Sequence, residues 1–305
     1  MPPTRILVLR GGALGDFIVT LPALQLLRRV WPAAPITLVG NARAAALGQT
    51  AGVIDRVCSQ SEARWSALYA SPPLPSAFAD ELAAFDLVLN FWPDPDGELA
   101  RHFPRHPAQR FLTAPSHPAV APAAAHYCAA LHPLGLTADS FRFPLGSPSP
   151  DARLVAVHPG SGSPRKNWPL DRWHALCLRL REIAPTEFLI VTGDAEPDPG
   201  ALANFGRHAH ALPLPQLVAA LRECRLFLGH DSGISHLAAA CGVPCVLLFG
   251  PTDPAVWSPP GEHVHALRRG SDLSTITVDD VLAAARPRLI RAPLAPPSLR
   301  PSKLL

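Results

Sequence analysis

The stretch that most constrains the fold is His230-Asp231-Ser232-Gly233-Ile234-Ser235-His236-Leu237-Ala238-Ala239-Ala240-Cys241-Gly242, set between two short apolar runs, Leu226–Gly229 and Val243–Gly250. Both runs are glycine-bounded and read as buried strands. Between them Asp231, Ser232 and Gly233 are cap-type residues, Ala238 to Ala240 favour helix, and Gly242 stops it. Strand, tight turn, small helix and parallel strand make one crossover unit. Its helix begins at the carboxyl edge of the sheet, where free N–H groups and the helix dipole attract phosphate. Gly233 lets a ligand approach the backbone. Alone, the unit is equally an ordinary capped helix of an α/β protein.

The chain opens with a similar pattern. Ile6–Leu9 is a buried-strand run that empties into Arg10-Gly11-Gly12-Ala13-Leu14-Gly15-Asp16, and Phe17, Leu21, Leu24, Leu27 and Val30 follow at helical spacing. Pro22 fits only near a first turn, with Thr20 as its cap. Ile36–Val39 is a second strand. A dinucleotide site is excluded twice over: the glycines do not make GxGxxG, and the second strand ends in Gly40-Asn41 where a ribose-binding acid belongs. The loop's distinctive group is Asp16, a carboxylate at the carboxyl end of the first strand. Taken by itself it reads first as a helix cap.

Further strands are expected at Val53–Cys58 and Phe85–Phe91. Residues 92–118, rich in Pro and His and carrying Arg101, Arg105 and Arg110, read as irregular surface that could offer charge to an anionic acceptor. Pro144–Pro150 has linker composition. The pattern then restarts with Leu154–Val157, followed by a strand at Phe188–Thr192, a helix over Leu217–Leu221 and the unit described first. Thr277-Val278-Asp279-Asp280 resembles a capping box. The expected organisation is therefore 1–146, 151–286 and a Pro/Arg-rich tail, 287–305.

The restart strand leads into His158-Pro159-Gly160-Ser161-Gly162-Ser163-Pro164-Arg165-Lys166-Asn167-Trp168-Pro169. Its small residues can wrap an anion, and Lys166 adds a mobile cation. It is not a Walker loop. Only Lys166 and Lys303 are lysines among 27 basic residues, which makes the placement of Lys166 informative. Trp168 and Trp173 read as packing. The six cysteines form no CxxC pair and no metal-ligand cluster, so they read as small buried residues in a reducing compartment. A net charge of +3 argues against nucleic acid as a partner. No segment approaches a membrane span and no signal-peptide core is present, so a cytoplasmic protein is expected.

Gly12–Asp16 with Thr20–Leu24, His158–Gly160 with Lys166–Pro169, and Asp231–Ala239 continuing through Phe249–Pro254 to Trp257–Pro259 together resemble glycosyltransferase family 9, the heptosyltransferase-like enzymes of lipopolysaccharide assembly. The resemblance implies an α/β GT-B fold, two facing Rossmann-like domains with mostly parallel sheets. It implies inverting, metal-independent transfer from a nucleotide-diphosphate sugar, with ADP-heptose the best-known donor, to a glycolipid or glycan acceptor such as the lipopolysaccharide core. No cofactor is expected, because the nucleotide-sugar is a substrate. By carry-over Asp16 matches the catalytic base, with Gly12 and Gly15 in the acceptor-side loop, and Lys166 matches the donor-phosphate lysine. Ser161, Asp231, Ser232, Gly233 and His236 fall in the donor-binding set, His236 as a residue that packs the turn. Glu196, in Gly193-Asp194-Ala195-Glu196, falls at the ribose-binding acid. Peripheral contact with the inner membrane follows from the same resemblance. A GT-B nucleotide-sugar epimerase and a non-catalytic nucleotide-sugar-binding protein are the rival readings.

Overall fold

The computed structural model describes residues 2–70, 73–193 and 199–290. In the first half, β1 (Ile6–Arg10) is followed by two helices, α1 (Leu14–Ile18) and α2 (Leu21–Val30). Then come β2 (Ile36–Gly40), α3 (Ala42–Thr50), β3 (Arg56–Ser59), α4 (Ser76–Ala83), β4 (Leu87–Asn90), β5 (Arg110–Thr113) and α5 (Ala123–Ala129). The five strands form a sheet in the order β3-β2-β1-β4-β5, every pairing parallel.

The second half runs β6 (Asp151–Val157), α6 (Leu170–Ile183), β7 (Glu187–Thr192), β8 (Gly206–His210), α7 (Leu214–Arg222), β9 (Cys224–His230), α8 (Gly233–Ala240), β10 (Cys245–Phe249), α9 (Pro254–Trp257), β11 (Val264–Arg268) and α10 (Val278–Ile290). Its six-stranded sheet, β11-β10-β9-β6-β7-β8, is also wholly parallel. Each sheet reverses its direction of winding beside its first strand, between β1 and β4 and between β6 and β9. Ligand crevices of open α/β sheets lie at such points, outside the carboxyl ends of the strands. Two doubly wound sheets make a GT-B-like architecture, as the resemblance implied.

The inner strands are apolar and buried because helices cover both faces of each sheet. One apolar cluster runs on from the first half into the second, from Ile6 and Leu24 to Leu237 and Phe249. The bridge is α1 against α8. Trp168 and Trp173 are buried and meet edge to face at 5.1 Å, so both are packing residues, as expected. All six cysteines are buried and free. Thr277 and Asp280 close the expected capping box: Thr277 N donates to Asp280 Oδ2 at 3.0 Å, and Asp280 N donates to Thr277 Oγ1 at 3.1 Å.

Three expectations are corrected. The helix read through Phe17 to Val30 is two helices. Thr20 sits between them, and its hydroxyl bonds Asp16 O and Arg10 rather than capping α2. Residues 92–118 are not all irregular surface: Arg110–Thr113 is an edge strand beside β4, and Trp92, Leu99 and Phe103 are buried. Four half-exposed residues between prolines carry too little periodicity to betray that strand. Finally, α10 continues through Pro287 to Ile290, into the stretch read as tail, and the remainder of that stretch lies outside the described residues. No helix among the described residues is long and apolar enough to cross a membrane.

Candidate active site

On the first sheet, β1 delivers the chain to Gly12, whose φ of +97° favours glycine, and where a Cβ would lie 2.6 Å from Asp16 Oδ2. The turn brings the third residue of α1 back over its own start. Asp16 Oδ2 accepts from Ala13 N at 2.9 Å, the return half of a capping box whose other half Ala13 has no oxygen to make. The cap reading of Asp16 is therefore correct, and it leaves the carboxylate aimed. Asp16 Oδ1 lies 3.4 Å from Arg10 Nη2, and a third of the side chain stays exposed at the crevice.

On the second sheet, β6 and β9 lie side by side at the reversal, so the loop after each strand reaches the same crevice. Lys166, in a short helical turn after β6, places Nζ 2.8 Å from Asp231 Oδ2, the first residue after β9. Asp231 is 8% exposed, so its charge is answered chiefly by this lysine. Ser232 caps α8, its hydroxyl accepting from Ser235 N at 3.2 Å. That bond leaves other first-turn N–H groups directed out of the helix end. Ser161 is buried, and its hydroxyl is engaged inside the loop by Asn167 Oδ1 at 2.6 Å and by Ser163. Glu196 lies outside the described residues.

The two loops meet across the halves. The Gly15 Cα hydrogen faces Gly233, and a Cβ built on Gly233 would sit 2.8 Å from Gly15 N and 2.9 Å from Leu14 Cβ. Two helix N-termini, one bearing Asp16 and the other following Asp231, thus touch backbone to backbone. His236, one turn into α8, is buried at this seam, near Gly15 and the Trp257 backbone. Burial pushes its imidazole below the usual histidine range; the Asp231 and Asp16 carboxylates oppose that shift and Lys166 adds to it. A neutral, enclosed His236 is a packing piece of the seam.

Two residues that earn no role from the sequence hold these loops. His230 ends β9 fully buried, with Nε2 accepting from Trp168 N at 2.7 Å and Nδ1 3.2 Å from Gly160 O. An imidazole that accepts at Nε2 donates at Nδ1, so this pattern fixes one tautomer and latches the Lys166 loop to the Asp231 turn. Arg10 ends β1, 4% exposed, and reaches Asp16, Thr20 and Tyr127. A charged residue closing an apolar strand run was the signal available for Arg10, and His230 gave a similar one. Among the described residues no group of three or more His, Cys, Asp or Glu side chains is placed to hold a metal ion.

Residues 137–277 match the model of glycosyltransferase family 9 (heptosyltransferase). Lipopolysaccharide heptosyltransferase 3 of Escherichia coli K12 is 27% identical over 154 residues, 43% of this chain and 44% of that protein, so the matched region spans less than half of this relative. Lipopolysaccharide heptosyltransferase 1 of an E. coli O18:K1:H7 strain is 23% identical over 91% of this chain and 95% of its own. Among solved structures, a family 9 glycosyl transferase from Veillonella parvula superposes with a TM-score of 0.73 at 22% identity, covering 94% of this chain and 97% of the other. The E. coli heptosyltransferase WaaC with ADP gives 0.70 at 20% identity, over 93% and 99%. With the family model matching its C-terminal half and the fold shared over nearly its whole length, this chain is similar to glycosyltransferase family 9 in sequence there and in fold throughout.

Proposed function

We propose that the protein transfers a sugar, with inversion and without a metal, from a nucleotide-diphosphate donor to a glycan or glycolipid hydroxyl. Heptose from ADP-heptose is the first choice of donor, and the lipopolysaccharide core is the first choice of acceptor. One observation carries the reading: the turn bearing Asp16 lies in van der Waals contact with the helix start that follows Asp231, beside Lys166. A base and a phosphate-binding edge so close together suit a reaction in which the attacking oxygen and the leaving phosphate flank one carbon.

In the proposed step Asp16 takes the proton of the acceptor hydroxyl as its oxygen attacks the anomeric carbon. The bond from that carbon to the phosphate oxygen breaks, and the nucleoside diphosphate leaves with the electron pair. Direct displacement inverts the carbon. Lys166 and the N-terminal N–H groups of α8, at Ser232–Gly233, take up the charge gathering on the diphosphate. Before donor binds, Asp231 holds Lys166 beside that helix start; the diphosphate then replaces the carboxylate as its partner. Ser161 contributes by holding the shape of the loop, and His236 by packing the seam. Glu196 is assigned to the donor ribose. The site works on the cytoplasmic side, with peripheral membrane contact through the acceptor; pelleting with anionic liposomes at low salt and release at high salt is the expected behaviour.

Calorimetric titration with ADP, UDP, GDP and NAD in a chelator tests the donor assignment. Preference for ADP is expected. Preference for UDP or GDP changes the donor, and binding of NAD alone, or of no diphosphate, contradicts the roles of Lys166 and the Asp231 turn. Product analysis separates the rivals: a new glycoside marks a transferase, an epimerised sugar an epimerase, and unchanged donor a binding protein.

A further inference from the structure

We propose that Arg10, held by Tyr127, is the positioning residue of Asp16, acting through the Asp16 peptide rather than mainly through its carboxylate. The inference rests on the reading of Asp16 as the base. It begins with a helix too short to hold itself. α1 has five residues, and an isolated single turn fixes more dihedrals than its hydrogen bonds repay. In a continuing helix the N–H of residue 20 would bond Asp16 O. Here Thr20 N donates to Phe17 O at 3.0 Å, and the chain turns away into α2. The carbonyl of Asp16 is left at a helix end, where it needs other donors.

Side chains supply them. Arg10 Nη2 donates to Asp16 O at 2.9 Å, Arg10 Nε at 3.2 Å and Thr20 Oγ1 at 2.8 Å. The Nε–H is shared, with Thr20 Oγ1 at 2.9 Å as its nearer acceptor. The Asp16 Oδ1 contact of the guanidinium is longer, at 3.4 Å. The guanidinium thus fixes the peptide from which the carboxylate projects, while the start of the same one-turn helix meets Gly233 at Leu14 and Gly15.

Arg10 is itself fixed by the first half's other wall. Its Nη2 donates to Tyr127 Oη at 2.9 Å, and its guanidinium lies 4.4 Å from the Tyr127 ring centroid. Burial pushes the Tyr127 phenol above its ordinary value, so it stays a donor, and its hydroxyl reaches Ser116 O at 2.9 Å. Ser116 lies in the loop after β5, which His126 Nε2 also ties at Pro115 O, 2.8 Å away. One chain of contacts therefore joins Asp16, Arg10, Tyr127 and the loop at 115–119, which follows β5 at the carboxyl edge of the first sheet. Lysine cannot replace Arg10, because a single ammonium cannot span these acceptors with the fixed fork of a guanidinium.

The test compares Tyr127→Phe, Arg10→Lys and Asp16→Asn with wild type in transfer from ADP-heptose to a heptose-free core acceptor, with ADP affinity and melting temperature measured on each. Tyr127→Phe keeps the ring and loses only the hydroxyl, so it serves where Arg10→Lys folds poorly. The expected result is a fall in kcat of about tenfold for Tyr127→Phe and on the order of a hundredfold for Arg10→Lys, the scale of a base misplaced by up to an ångström. Donor KM and ADP Kd should stay within about twofold, since the donor edge lies on the other sheet. If Asp16→Asn is inactive while both other variants keep wild-type kcat, the positioning role is overturned and the base stands. It is equally overturned if kcat and ADP affinity fall together, or if a crystal structure of Tyr127→Phe leaves α1 and the Asp16 carboxylate unmoved. Wild-type turnover by Asp16→Asn would remove the base and this proposal with it.

Discussion

Gly233→Ala is the smallest change that should separate the two halves of the site. A Cβ at position 233 would lie 2.8 Å from Gly15 N and 2.9 Å from Leu14 Cβ. Ordinary carbon contacts begin near about 3.5 Å, so the overlap is roughly 0.6 Å on two atoms. The nearest atom, Gly15 N, is backbone, and no side-chain torsion can move it. Either α1 and α8 part by that distance or the seam between the halves opens. Overpacking of this kind costs about 1–3 kcal/mol. Displacing a base by a fraction of an ångström to one ångström costs up to about a hundredfold in rate. We expect Gly233→Ala to lower the melting temperature by several degrees and kcat by about tenfold to a hundredfold. Gly162→Ala is the control for stability alone: a Cβ there meets nothing within 4 Å, so its melting temperature should match wild type. Differential scanning fluorimetry on both variants and a transfer assay on Gly233→Ala decide it. A Gly233→Ala protein matching wild type in both melting temperature and kcat would refute the close seam.

Lys166→Met should weaken ADP binding by at least about tenfold and lower stability by about 1–3 kcal/mol, because it leaves the Asp231 carboxylate buried without its cation; calorimetry and urea unfolding measure the two effects, and unchanged affinity would contradict the diphosphate role. His236 and His263 are both held low by burial, so the unfolded chain binds more protons than the folded one. Their stabilisation is fully present above the unfolded value of about 6.5 and is lost as pH falls below it, so the urea midpoint should drop between about pH 7.5 and 5.5. A midpoint flat or rising over that window would contradict it. The thiols of Cys128, Cys177, Cys224 and Cys241 are pushed up to about 12 by burial, so a thiol reagent at about pH 8 should leave them unmodified in the native protein and react with them after denaturation.

The sequence made the inner strands legible because strands covered on both faces read as short apolar runs: Ile6–Leu9, Leu154–Val157, Phe188–Thr192 and the pair around His230–Gly242 all appear where expected. Of the four edge strands, β3 was read at Val53–Cys58 and lies at Arg56–Ser59, while β5, β8 and β11 were hidden. β8 reads Gly-Arg-His-Ala-His and β5 Arg-Phe-Leu-Thr, and neither shows the run or the alternation that marks a strand. At the site, the chemistry-bearing residues stood out because their types are unusual where they fall: a carboxylate after a glycine turn, and a lone lysine in a Gly/Ser loop. What they touch did not. Lys166 and Asp231 are 65 residues apart, and only the reversal between β6 and β9 brings them to 2.8 Å. The cap and base readings of Asp16 looked like competitors, yet one oxygen caps α1 while the rest of the carboxylate faces the crevice. Arg10 is the clearest omission. Its role depends on Thr20 and on Tyr127, 117 residues away, and no local pattern records that.

The most direct test of the account is one experiment on Asp16→Asn: transfer from ADP-heptose to core acceptor, with ADP affinity measured on the same preparation. Asparagine keeps the shape and can still accept from Ala13 N, so the turn and the donor edge should survive. The account predicts loss of transfer by at least about a hundredfold, the contribution of a positioned base, with ADP affinity within about twofold of wild type. Transfer at the wild-type rate would contradict it.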